Sequence, residues 1–398
     1  MKKQLESLKE RGLIAMESHA GKVEDYLESG SRTFYIGFDP TADSLHLGHL
    51  FQIMNMYRLS QFGHRPICII GGGTALIGDP SGRTEMRNIM TPEVLETNRL
   101  ALQKQVSKLL QLPNVEFLNN ADWLLPLNYL EFMRDYGVHF SVNELIKKDI
   151  YRERLEREEG LTVFELNYIL LQSYDFLYLN RNYDCTIQLG AQDQWSNILG
   201  GVDLIKKCEG KEAYAVVSPL LTRSDGKKMG KSESGAVWLD INKTSSYEFY
   251  QYFINIPDAD VEKFMKIFTL LPIPEIENHI RMDIREAKKV LALEVTKFVH
   301  GVEEAQKAAV TSESLFGDGN MIEGIEEFVV EEKYFKDGKI DLVEFLVGVG
   351  IISSKREARE FLSSGAIYID DIAAVENLIE KKDFLLRVGK KKYFKVTV

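Results

Sequence analysis

The chain has 398 residues, 44% apolar and 27% charged, the balance of a globular protein of two to four domains. No apolar run approaches a membrane span and no basic–apolar–small-residue leader opens the sequence, so a cytoplasmic protein without membrane contact is expected. The net charge of −11 excludes a uniformly basic polyanion binder but not an RNA partner, because such binding needs only local positive surface.

Residues 1–30 read as two short helices, the second over Lys22–Leu27. Thr33–Phe38 is apolar and β-branched or aromatic, which predicts a buried strand. Asp39 and Pro40 stop it, since Pro40 cannot donate to a sheet ladder. Thr41, Asp43 or Ser44 can then cap a helix whose first turn carries His46, Gly48 and His49. Free N–H groups at such a terminus suit a phosphate, and Gly48 lets a planar base or ribose approach between histidines on one face. An HxGH alone is equally a capped helix with two surface histidines.

ICIIGGG predicts a second buried strand whose glycines, Gly71 to Gly73, permit close backbone approach. It is no P-loop, for no Gly-Lys-Ser/Thr follows, and no GxGxxG, for Leu76 fills the last glycine's place. In GDPSGRTEMR, Asp79 precedes a turn and Arg83 and Arg87 follow it, either a phosphate clamp or a solvated basic turn. Cys68, Cys185 and Cys208 form no CxxC pair, which fits a reducing compartment and argues against structural zinc. Residues 92–110 predict an amphipathic helix and 115–118 a short strand. Two or three helices over 128–157 break the strand–helix alternation and read as an insertion, about 121–160, between two halves of a doubly wound sheet.

Residues 161–179 predict one helix with Tyr168, Gln172 and Asp175 along one face. Such polar residues are more often exposed, but large apolar neighbours point to a helix buried on several sides, where polar groups need partners. Thr186–Leu189 is the next strand, ending at Gly190, and AQDQW opens a helix over 193–208. A strand over 216–221 leads into Ser224-Asp225-Gly226 and Lys228-Met229-Gly230-Lys231-Ser232. From Ser245 to about Val310 the pattern is helical, and the acidic, Ser/Gly-containing stretch 311–333 reads as a linker. From residue 334 the charge reverses, with 12 Lys and Arg against 10 Asp and Glu. Two helices and a strand follow, the second helix capped at Ser353–Arg356, and Lys355, Arg356 and Arg359 can reach phosphates from its start. The tail GKKKYFK sets an aromatic pair among lysines, which alone is usually just solvated.

His46, His49, Lys228 and Lys231 together make a four-donor clamp for a pentavalent phosphate. HLGH and KMGKS resemble the two ATP-activating motifs of class I aminoacyl-tRNA synthetases. YIGFDPTADSLHLGHL, GDPSGR, NYILLQSYDF and GAQDQWSNI resemble the bacterial tyrosyl-tRNA synthetases in particular, and the resemblance runs over essentially the whole chain. It departs at Gly230, where many members have Ser, and at Ala191-Gln192, where many have Gly-Ser or Gly-Asp.

The resemblance implies activation of L-tyrosine by ATP and its transfer to tRNA(Tyr), with Mg²⁺ accompanying the ATP and no structural metal. Thr41 and Ser232 would stand beside the clamp, and Arg83 and Arg87 would hold pyrophosphate. Tyr35 and Asp175 match the family's readers of the tyrosine hydroxyl; Tyr168, Gln172 and Asp79 would face the ammonium, with Gln188 close by. Gly37, Asp39, Gly48, His49, Gly190, Asp193, Gln194 and Lys231 would line the ATP site. Lys355, Arg356 and Arg359 would meet tRNA, in a module like one of a small-subunit ribosomal protein, and the insertion would make a homodimer contact. The expected fold is α/β: a doubly wound, Rossmann-like parallel sheet over 1–242, an α-helical anticodon-binding domain and linker over 243–330, and a small α+β RNA-binding module over 331–398. Two rivals use the same residues. A nucleotidylyltransferase would share the HxGH helix but needs neither the helical domain nor the basic module, and a non-catalytic RNA binder would not need both motifs intact.

Overall fold

The computed structural model describes residues 3–79, 90–112, 114–157, 160–224, 226, 229–232, 235–316, 327–370, 372–374, 376–380, 382–389 and 392–398. The chain divides into two compact units, Met1–Val302 and Glu303–Val398. The first opens with α1 (Gln4–Glu10) and α2 (Lys22–Glu28), which bury Leu5, Leu8, Val23 and Leu27. Between them lies a strand too short to show in the sequence pattern, β1 (Met16–Glu17). Then come β2 (Thr33–Phe38), α3 (Leu47–Gln61), β3 (Arg65–Ile70), α4 (Pro92–Leu110) and β4 (Glu116–Asn119). After an insertion of short helices, α5 (Ala121–Leu124), α6 (Tyr129–Asp135), α7 (Val142–Leu145) and α8 (Asp149–Glu156), follow α9 (Val163–Leu166), α10 (Tyr168–Tyr183), β5 (Cys185–Ala191), α11 (Trp195–Glu209) and β6 (Tyr214–Ser218).

Among the described residues the sheet runs in the order β1-β6-β5-β2-β3-β4, parallel throughout except for β1. Ile67, Cys68, Ile69 and Ile70 are all buried, which explains why β3 reads as a continuous apolar run and not as an alternation. Strand β2 lies between β3 and β5, so the winding reverses beside it. At such a switch point the crossovers diverge and leave a crevice at the strands' carboxyl ends. Asp39, Gly71 to Thr74, Asn120 and Gly190 all lie at those ends.

The helix expected over 161–179 is two helices. Thr162 and Glu165 form a capping box that starts α9, and Asn167 Nδ2 donates to the Val163 carbonyl (2.7 Å) at its end. Glu165 also accepts from the buried Arg154 (2.6 Å), which fixes the short helix in place before α10 begins at Tyr168. Over 128–157 the insertion holds three α-helices, as the sequence suggested, the last over the charged stretch from Asp149, with α5 added before them.

Beyond β6 a hairpin, β7 (Lys231–Ser232) and β8 (Gly235–Ala236), precedes the helices α12 (Ser246–Ile254), α13 (Asp258–Phe268), α14 (Ile273–Met282) and α15 (Ile284–His300). The second unit starts with α16 (Val302–Phe316) and continues with β9 (Glu327–Val329), β10 (Phe335–Lys336), β11 (Lys339–Asp341), α17 (Leu342–Gly348) and α18 (Lys355–Ser363). It ends with β12 (Ile367–Ile369), β13 (Ile372–Ala373), β14 (Leu378–Ile379), β15 (Phe384–Val388) and β16 (Lys392–Thr397). These strands form sheets β13-β12-β15-β16-β9 and β10-β11-β14 around a core that includes Phe345, Leu346, Ile367 and Leu386. Two expectations change here. The acidic stretch contributes β9, parallel to β16, and the basic tail is itself β16, with Phe394 paired to Leu386 and Val396 buried. Its alternating pattern is that of a strand with one covered face.

Candidate active site

The turn after β2 does not cap α3 through Thr41, Asp43 or Ser44; His46 is the cap. Its Nδ1 accepts from the Gly48 N–H (3.1 Å), and His49 Nδ1 accepts from the His46 N–H (3.2 Å). The rings stack at 3.9 Å and 13°. Since each Nδ1 is an acceptor, the proton of each neutral ring sits on Nε2, which leaves both side chains as hydrogen-bond donors. Burial pushes the pKa of His46 down, and that of His49 further down, where the neighbouring His46 adds to burial. Gly48 is required by this arrangement itself: a Cβ there would lie 2.9 Å from His46 Cε1. Thr41 is exposed, and its N–H donates to the Asp39 carbonyl (2.8 Å).

The second motif meets this helix start through backbone. The Leu47 N–H donates to the Val237 carbonyl (3.2 Å), the Leu239 N–H to Leu45 (2.8 Å) and the Val237 N–H to Gly230 (2.8 Å). Gly230 has φ +84°, and a Cβ there would lie 3.1 Å from Leu47 Cβ, which favours glycine where the family often has serine. Arg83, Arg87 and Lys228 lie outside the described residues, as do the side chains of Lys231 and Ser232.

A hydrogen-bonded chain runs across the crevice. Trp123 Nε1 donates to Asp175 Oδ1 (2.7 Å) and Asn120 Nδ2 to Asp175 Oδ2 (2.9 Å). Asn120 Nδ2 also lies 3.0 Å from Thr74 Oγ1, whose hydroxyl donates to Asp39 Oδ1 (2.8 Å). The Tyr168 hydroxyl donates to Asp39 Oδ2 (3.0 Å). A Cβ on Gly71 would lie 2.4 Å from Asp39 Oδ1, so this glycine makes room for the carboxylate. Beside this chain Gln194 Nε2 donates to Asp79 Oδ2 (2.6 Å), and Gln172 Nε2 to Gln194 Oε1 (3.4 Å). Asp193, half-buried, stands next to Gln194 in the turn that opens α11.

Asp175 is 4% exposed, and burial raises its pKa to about 7 against the opposing pull of Asn120 and Trp123. Tyr35, in β2 and 2% exposed, is pushed well above the ordinary phenol pKa, first by burial and then by the charge of Asp175. Among the described residues its hydroxyl has no partner, nor does Oε1 of Gln188, the residue opposite Tyr35 on β5. Buried polar groups without partners are rare in folded proteins, and here one of them, Tyr35, feels the charge of Asp175 and the other, Gln188, lies opposite Tyr35, a site equipped for a polar ligand. Gly37 is exposed with open space above it, whereas Gly190 is a packing position, its Cβ falling 2.9 Å from Ile198 Cδ1. The sequence reading missed Asn120, Trp123 and Thr74. Their chief signal was position after a strand, and Trp123 and Asn120 meet Asp175 only through the fold.

In the second unit Lys355, Arg356 and Arg359 are exposed along α18, whose cap Ser354 accepts from the Glu357 N–H (3.3 Å). Lys355 pairs with Glu344 (2.7 Å), and Arg359 lines a cleft of about 390 Å³ with Asp341, Glu344 and Asn377. No helix among the described residues is long and apolar enough to cross a membrane.

With parallel sheet, switch-point crevice and paired histidines in place, comparison with known proteins is direct. Residues 28–317 match the family described as tRNA synthetases class I (W and Y), and residues 323–396 match the tyrosine–tRNA ligase SYY-like C-terminal domain. The chain belongs to the class I tRNA synthetases. Its relatives include the tyrosine–tRNA ligase of Caldanaerobacter subterraneus subsp. tengcongensis, 50% identical over 99% of each chain, and that of Acetivibrio thermocellus, 49% identical over 98% of each. Among solved structures, a C-terminally truncated mitochondrial tyrosyl-tRNA synthetase of Aspergillus nidulans superposes with a TM-score of 0.72 at 30% identity, covering 79% of this chain and 95% of that one.

Proposed function

We infer that this chain performs the tyrosine–tRNA ligase reaction. The carboxylate of L-tyrosine attacks the α-phosphorus of ATP, giving tyrosyl-adenylate and pyrophosphate, and the 3′-terminal ribose of tRNA(Tyr) then takes the tyrosyl group and releases AMP. The observation that carries the tyrosine assignment is the buried Asp175, fixed by Trp123 and Asn120 next to the Tyr35 hydroxyl, which has no partner among the described residues. Asp175 accepts the substrate's phenolic proton, and Tyr35 donates to the same oxygen. Phenylalanine would leave Tyr35 without an acceptor and take from the buried Asp175 the hydroxyl it is placed to bind, which is how such a site rejects it.

Tyr168, Gln172 and Asp79 face the ammonium in this reading, with Gln188 nearby. Gly37, Asp39, Gly48, Gly190, Asp193 and Gln194 line the nucleotide. His46 and His49 donate through Nε2–H to oxygens that gain charge in the transition state, together with Lys228 and Lys231, beside Thr41 and Ser232. Arg83 and Arg87 hold pyrophosphate. Mg²⁺ travels with the ATP phosphates; among the described residues no cluster of three or more His, Cys, Asp or Glu offers it a cage, and no step here depends on one. Lys355, Arg356 and Arg359 contact tRNA phosphates, and residues 243–330 serve the anticodon. A homodimer through the insertion is supported by exposed apolar side chains there, Leu125, Tyr129, Leu130, Val138 and Val142 among them. A cytoplasmic setting belongs to the same reading.

The test is charging of tRNA(Tyr) with tyrosine by the purified chain and by Asp175→Ala. The reading expects robust charging by the first and near-complete loss in the second. Equal charging by both would refute the role of Asp175.

A further inference from the structure

Helix α13 is attached to both halves of the nucleotide site, although it lies outside the sheet that builds it. Near its start Asp260, 3% exposed, accepts the Ser224 N–H on both carboxylate oxygens (3.0 Å each) and the Ser224 hydroxyl on Oδ2 (2.9 Å). One turn later Lys263 Nζ donates to the Thr222 carbonyl (2.8 Å). Thr222 and Ser224 lead into the KMGKS motif, and the neck of that segment is closed by the Met229 N–H donating to Leu221 (3.0 Å). From α12, the Tyr252 hydroxyl accepts the Gly230 N–H (2.9 Å).

At the other end of α13, Arg11 donates to the carbonyls of Lys266 (3.2 Å) and Leu271 (2.8 Å), and Arg58 donates to that of Thr269. Arg58 belongs to α3, the helix capped by His46. One helix therefore grips the neck that leads to KMGKS and the far end of the HLGH helix. A buried carboxylate must be fully partnered to be tolerated, and Asp260 receives this set of bonds from one loop residue.

We propose that Asp260 is a positioning residue for tyrosine activation, one that fixes the neck at Ser224 so that the basic residues beyond it are presented to ATP. The proposal rests on the ligase reading. It assigns Asp260 an effect on the ATP-dependent step and not on tyrosine binding, because among the described residues the Asp175 carboxylate is held by Asn120 and Trp123 and not by this neck.

The experiment compares full-length protein with Asp260→Asn, Ser224→Ala and the double variant. Readouts are tyrosine-dependent ATP–pyrophosphate exchange, giving kcat and both KM values, and equilibrium tyrosine binding without ATP. Losing charge-assisted hydrogen bonds should lower kcat for Asp260→Asn by about 10- to 100-fold. Ser224→Ala should lower it by about 2- to 5-fold, and the double variant should fall no lower than Asp260→Asn alone. Tyrosine binding should stay within about twofold of the unaltered protein in all three. If Asp260→Asn does not fold, Tyr252→Phe takes its place as a second anchor, with a kcat loss of about threefold or more at unchanged tyrosine binding. Unchanged kcat in the folded variants, or tyrosine binding that falls in step with kcat, overturns the proposal. An unaltered protein that shows no exchange with tyrosine overturns the ligase reading itself, a result that needs no variant.

Discussion

Replacing Trp123 with Phe removes one hydrogen bond to Asp175 and keeps an aromatic ring to stack on Tyr178, which lies 4.3 Å away and nearly parallel. The lost bond is short, 2.7 Å, and it favours the charged carboxylate. A hydrogen bond to a charged group contributes about 1.5–3 kcal/mol, or roughly 1–2 pKa units. Asp175 already titrates at about 7 because burial opposes its charge. The variant's carboxyl should therefore titrate at roughly 8–9. A raised carboxyl pKa keeps the neutral acid to higher pH, so the acceptor proposed for the tyrosine hydroxyl forms only above it. At pH 7.5 about three-quarters of the unaltered sites are ionised, against roughly 3–25% of the variant's. Tyrosine-over-phenylalanine selectivity at pH 7.5 should fall about 3- to 25-fold and recover as pH rises toward 9. Activation of both amino acids, measured between pH 6 and 9.5, provides the assay, and the ratio cancels effects common to both substrates. Coincident pH midpoints in the two proteins would refute the argument that Trp123 tunes Asp175.

Other outcomes follow from the same geometry. Tyr35→Phe should erode tyrosine-over-phenylalanine selectivity about tenfold, the worth of one hydrogen bond, in steady-state activation. Gly48→Ala would place a methyl 2.9 Å from His46 Cε1, so adenylate formation in a single-turnover assay should slow by about 10-fold or more while tyrosine binding holds. Leu130→Asp puts a charge in the exposed apolar surface of the insertion and should shift the protein toward monomer in sedimentation; an unshifted profile would refute the proposed dimer contact there.

The sheet was readable in sequence because its central strands are covered on both faces, so β2 and β3 stand out as unbroken apolar runs. Asp39-Pro40 marked the strand end for steric reasons that do not depend on context. His46 as helix cap was not readable, because serine, threonine, aspartate or asparagine was expected and three such residues stood just upstream. The Thr162-x-x-Glu165 capping box was a local signal for the start of α9, whereas the break at Asn167 was masked by the apolar period running through it. Asp175 could be placed on a helix face, but its partners, Asn120 just after β4 and Trp123 in α5, lie about fifty residues earlier, and no spacing rule links them. The basic stretch at 389–395 was taken for a tail because lysine density hid a period-two strand pattern.

The central claim is that the crevice beside β2 activates tyrosine. ATP–pyrophosphate exchange by the full-length protein, run with each of the twenty amino acids, tests it most directly. Exchange should depend on tyrosine, with phenylalanine slower by about 10⁴-fold, the discrimination known of tyrosyl-tRNA synthetases. Exchange in the absence of amino acid, or fastest with tryptophan or phenylalanine, would contradict the account.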